Sequence, residues 1–116
     1  MIKFLDLNKQ YLKIKDEIDN SIKAVLKDGA FIGGNYVQSF ENAFSKYNNI
    51  KYCVGVANGT DALEIAIEAL NLPLKSEIIV PANSFFATSE AVSRMGYKVV
   101  FCDCNNDDYT ICTEDL

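Results

Sequence analysis

"VGVANGTDALEIAIEAL", Val54–Leu70, sets a short apolar stretch directly ahead of Asn-Gly-Thr-Asp and then an apolar segment with helical periodicity. The apolar stretch, residues 52–57, reads as a buried strand. Leu63, Ala66, Ile67 and Leu70 share one face of a helix running from Gly59 to Leu70. Asn58 is a strong N-cap, with Asp61 three residues later as in a capping box. Gly59 leaves room for a group to approach the backbone. The first N–H groups of a helix have no intrahelical partner, and the helix dipole puts partial positive charge there. A preceding strand would deliver this end to the carboxyl edge of a sheet, where open α/β sheets bind ligands. Gly59, Thr60 and Asp61 are therefore a candidate phosphate cradle. Thr60 would add its hydroxyl. Asp61 would offer its N–H while its carboxylate turns back to Asn58 N–H. The same residues also read as a plain, well-capped helix start. They match neither G-x-G-x-x-G nor a P-loop.

Working outward, "EIIVP" (77–81) reads as a strand, "SFFATSEAVSRMG" (84–96) as a helix and "YKVVFCDC" (97–104) as a strand. Strand, helix, strand, helix, strand with short connections implies an α/β fold with parallel strands. The segment "PANSFFATSEA" (81–91) repeats the strand-to-helix architecture. It brings Phe85 and Phe86 to the same sheet edge as Gly59, where an aromatic ring could stack on a planar ligand or belong to the core. Upstream, Ile14, Ile18, Ile22, Val25 and Leu26 define a helix over 11–27, closed by Asp28-Gly29. Gly33-Gly34 marks a turn or a close backbone approach, and Val37, Phe40, Phe44 and Tyr47 define a helix over 36–46. Residues 1–34 thus form an N-terminal helix and loop, and residues 35–116 an α/β portion.

The chain has 116 residues, of which 49% are hydrophobic and 23% charged, a balance that suits a soluble domain with a real core. No apolar run is long enough to span a bilayer, and "IKFLDLNKQY" after Met1 is no signal peptide, so a cytoplasmic protein is expected. The net charge of −5, with basic residues scattered, argues against nucleic acid or an anionic membrane as partner. Cysteines at 53, 102, 104 and 112 have no zinc-site spacing and there is no histidine, so free thiols rather than a metal site are expected.

Together these segments resemble the DegT/StrS family of pyridoxal-phosphate-dependent sugar aminotransferases. The resemblance rests on "FLDLNKQY", "GAFIGGNYVQSFENAFSKY", "VGVANGTDALEIAIEAL", "EIIVPANSFFATSEAV" and "GYKVVFCD", in the family's order and spacing. It implies a three-layer α/β/α fold, the N-terminal part of the large domain of the aspartate-aminotransferase (fold type I) architecture. It implies pyridoxal 5'-phosphate as cofactor, its phosphate held by Gly59, Thr60 and Asp61 and its ring against Phe85. The Phe31–Gly34 loop would lie near the substrate entrance. A homodimer is implied, with active sites between subunits, transferring an amino group from glutamate to a nucleotide-linked keto sugar. The family's Schiff-base lysine, the acid on its ring nitrogen and its small domain all fall beyond Leu116. No catalytic residue is therefore expected within this chain, which by itself should be inactive. The alternatives are a sugar dehydratase of the same family, with histidine in place of the lysine, and a non-catalytic regulatory or binding module.

Overall fold

Residues 2–116 are described by a computed structural model; Met1, where the expected N-terminal portion begins, lies outside them. The chain divides into two compact units, one ending at Gly55 and the other spanning Val56–Leu116.

In the first unit, the Asp6 carboxylate accepts the Lys9 N–H at 3.1 Å and starts α1 (Leu7–Lys13). A second helix, α2, covers Lys15–Asp28. The single helix expected over 11–27 is thus interrupted at Ile14 (φ −122°, ψ 18°), whose N–H donates to Tyr11 O at 3.0 Å. No Gly or Pro marks the break. Side chains bridge it instead: the Tyr11 hydroxyl donates to Asp19 at 2.7 Å, and Lys15 pairs with the same carboxylate. The bonds from Lys15 and then Tyr11 hold the Asp19 carboxyl below its ordinary range, and the bond to Asp19 raises Lys15. Gly29 closes α2 in the left-handed conformation (φ 62°), as the Asp28-Gly29 pair predicts. Gly33 and Gly34, both at positive φ, turn the chain into α3 (Asn35–Tyr47), one residue longer at each end than its periodicity predicts. No described residue of this unit is buried.

The buried strand expected at residues 52–57 does not form. Tyr52 is 73% and Val54 76% exposed, and no backbone ladder includes them. The Gly55 N–H donates instead to Glu41 Oε1 at 2.7 Å. An apolar run becomes a strand only where a neighbour completes its ladder, and among the described residues this run has none.

The second unit runs α4 (Gly59–Ala69), β1 (Glu77–Pro81), α5 (Ala87–Arg94) and β2 (Lys98–Cys102). β1 and β2 pair in parallel, with Glu77 opposite Lys98 and Pro81 opposite Cys102, so the ladder has two strands where three were expected. Lys98 Nζ lies 2.5 Å from Glu77 Oε1 across it. The core consists of Val80 and Cys102 from the strands with Ala87, Ala91 and Val92 from α5. Alanines four apart line one face of α5 and let its backbone come close to the strands. β2 ends at Cys102, two residues short of the expected strand, and Cys104 makes an isolated antiparallel bridge with Ile111. All four cysteines are free; Cys102 is buried, and burial pushes its thiol above the ordinary range. Among the described residues no helix is long and apolar enough to cross a membrane.

Candidate functional site

The starts of α4 and α5 face one concavity of about 410 Å³ in the second unit. Asn58, Gly59, Thr60 and Leu63 form one wall, and Phe85, Ala87 and Thr88 the other. Gly59, Thr60 and Phe85, singled out from the sequence, therefore meet at one pocket, while Asp61 is not in its lining. The Phe31–Gly34 loop belongs to the first unit.

Asn58 has extended backbone (φ −162°, ψ 177°), and its Oδ1 accepts the Asp61 N–H at 2.9 Å. Asn58 O accepts the Ala62 N–H at 3.1 Å. The cap thus consumes the N–H that Asp61 was expected to offer a ligand. The reciprocal bond, from Asn58 N–H to the Asp61 carboxylate, does not form among the described residues. A cap side chain fixed three residues away reaches that N–H without the entropy cost of capturing a free ligand. The N–H groups of Gly59 and Thr60 have no acceptor among the described residues, and a Cβ placed on Gly59 would meet no atom within 4 Å. Open space and free donors thus coincide at the positively polarised end of α4.

On the opposite wall, α5 starts at Ala87 rather than at Ser84. That later start places Ala87, Ala91 and Val92 inward and leaves 84–86 in the turn at the rim. Phe85 is 81% exposed and Phe86 68%, so neither ring is core in this unit. Phe86 occupies the N-cap with helical dihedrals and gives no side-chain cap. Ser84 Oγ and Thr88 Oγ1 lie 2.8 Å apart, either able to donate. Thr88 was not anticipated from the sequence; the signal available was its hydroxyl four residues after that of Ser84. None of the seven lining residues is titratable. The pocket can hold an anion only through neutral N–H and O–H donors, and it supplies no acid or base of its own.

Solved structures share this backbone arrangement. DesV from S. venezuelae, solved with a ketimine intermediate, superposes with a TM-score of 0.92 at 32% identity, covering 98% of this chain and 31% of that one. The chain belongs to the DegT/DnrJ/EryC1/StrS aminotransferase family, whose profile matches residues 12–116. It is 40% identical over 111 residues to UDP-2-acetamido-2-deoxy-3-oxo-D-glucuronate aminotransferase of Pseudomonas aeruginosa, covering 96% of this chain and 31% of that protein. GDP-4-keto-6-deoxy-D-mannose-3-dehydratase of E. coli, solved with hydrated PLP, is 34% identical with a TM-score of 0.76, over 82% of this chain and 26% of that one. The chain spans about a third of the length of the proteins it matches. The fold is α/β, the N-terminal part of a fold-type I large domain.

Proposed function

We propose that this chain supplies the phosphate-binding and ring-facing side of a pyridoxal 5'-phosphate site in an enzyme that transfers an amino group, from glutamate, to a nucleotide-linked keto sugar. The observation that carries the reading is the pocket itself, where unpartnered Gly59 and Thr60 N–H groups meet the exposed Phe85 ring. The residues fit the group. Gly59 leaves its approach open, neutral donors suit a phosphate, and a flat ring suits a planar heterocycle. In the assembled enzyme the Gly59 and Thr60 N–H groups and the Thr60 hydroxyl would hold the phosphate. Phe85 would lie against the ring and exclude water from that face. When bound, the cofactor supplies the electron sink for amino transfer. The chain's own lysines, none of which lines the pocket, give it no covalent anchor there, so the chain alone is read as inactive. Cytoplasmic location and a homodimer with shared sites belong to this reading.

Pyridoxamine 5'-phosphate tests the site directly, because it carries the phosphate and the ring but needs no lysine. The 116-residue chain should bind it saturably. A chimera joining residues 1–116 to the C-terminal remainder of the Pseudomonas relative should form amino sugar and 2-oxoglutarate in equal amounts from glutamate and a keto-sugar nucleotide, whereas the chain alone should form neither. The likeness to the E. coli dehydratase favours one second reading, water elimination on the same cofactor. Loss of water without glutamate consumption would select it.

A further inference from the structure

We propose that Ser84 and Thr88 form a hydroxyl clasp that positions Phe85, so that Thr88 is a positioning residue of the pocket. The inference rests on the cofactor reading for its purpose but on local geometry for its substance. Phe85 is 81% exposed, so packing does little to orient its ring. The backbone that carries it is instead held by local bonds. Ser84 Oγ and Thr88 Oγ1 close a loop over Phe85 at 2.8 Å, and the Thr88 N–H returns to Phe85 O at 3.0 Å. Phe86 O accepts the Ser89 and Glu90 N–H groups and the Ser89 hydroxyl.

The helix start shows why a clasp is needed. Serine at this point ordinarily caps by accepting a backbone N–H. Here Ser84 lies two residues before the N-cap, and its hydroxyl is engaged by Thr88 instead. With no side-chain cap on α5, the hydroxyl pair links the turn to the helix side chain to side chain, beside the Ser89 hydroxyl bond to Phe86 O. Thr88 also lines the pocket three residues from Phe85, and its hydroxyl pairs with that of Ser84. The arrangement points to orientation of the ring rather than contact with the ligand.

The test has two arms. Without ligand, amide exchange at Thr88 and Ser89 should accelerate about fivefold in Thr88→Val, the worth of one net hydrogen bond. Ser84→Ala should do the same, and Thr88→Ser should restore wild-type rates. Unchanged exchange in Thr88→Val overturns the clasp, whether or not the chain binds any cofactor. With pyridoxamine 5'-phosphate as probe, Thr88→Val should weaken binding by about fivefold in the wild-type background and by almost nothing in a Phe85→Ala background. Penalties that multiply in full would show that Thr88 touches the ligand itself, and the positioning role would be wrong. A wild-type chain with no affinity for the probe would overturn the cofactor reading alone, since the exchange arm decides the clasp independently.

Discussion

At the scale of single residues, Gly59 is informative because nothing inside the chain demands it. Its φ is not left-handed, and a Cβ there would meet no atom within 4 Å. Gly59→Val should therefore fold as the wild type does, since valine ranks above glycine in helix propensity and no left-handed backbone opposes it. It should weaken pyridoxamine 5'-phosphate binding by about tenfold or more, because the added methyls stand where an anion would meet charge-assisted donors. Equilibrium dialysis beside a urea titration separates the two effects, and unchanged affinity would make the motif a plain cap. The two phenylalanines should differ in their effect on binding and not on packing. Both are exposed, so neither Phe85→Ala nor Phe86→Ala should leave a cavity, and only Phe85→Ala should reduce probe affinity. That Gly59, Thr60 and Phe85 share one pocket is legible in the sequence because each sits at a strand-to-helix junction of the same edge. The Asp61 N–H is less legible because it has two possible acceptors, a ligand or the cap, and here the Asn58 side chain takes it.

At the scale of elements, α3, α4 and β1 lie within a residue or so of their predicted bounds because periodicity and end signals agree there. The interruption at Ile14 was invisible, since no helix breaker encodes it and its bridging partners are eight residues apart. The missing strand at 52–57 shows the converse, apolar content without a neighbour. Between elements, Arg94 of α5 brings Nε to 2.9 Å from Glu64 Oε1 of α4, an oxygen shielded from solvent yet without an aligned hydrogen bond. Arg94 is itself largely exposed, so the pair contributes little as an ion pair. Its removal matters through the buried oxygen. Arg94→Ala should destabilise by about 1 kcal/mol in urea, and adding Glu64→Gln should recover part of the loss. In the turn after β2, Asp108 accepts the Thr110 N–H at 3.0 Å and the Thr110 hydroxyl at 2.8 Å, and these bonds hold its carboxyl below the ordinary range. A depressed folded-state value means stabilisation that is complete above the unfolded value and lost as pH falls through the folded one. The stability gap between wild type and Asp108→Ala should thus persist at neutral pH and close on acidification; a gap that widened in acid would contradict the assignment.

At the scale of the whole molecule, composition indicates how many apolar residues there are but not where they find partners. The chain is 49% hydrophobic, yet among the described residues the buried hydrophobic ones are five, all in the second unit. Ile2, Phe4, Ile32 and Leu74 are at least 91% exposed, and the helices of the first unit bury none of their residues. At about 25 cal/mol per Å² of apolar surface removed from water, so much open apolar area favours association over solvation. The two-stranded ladder adds open edges that can template pairing. The chain should therefore self-associate, with a weight-average mass that climbs with concentration in light scattering. Amide exchange should follow the same distribution: α5, β1 and β2 protected at every concentration, and α1 to α3 protected only as the mass rises. That coupling distinguishes burial of the first unit's helices from non-specific clumping, which would raise the mass without protecting any particular helix. A stable monomer at high micromolar concentration, with α1 to α3 already protected, would mean that these helices hold together by contacts other than apolar burial.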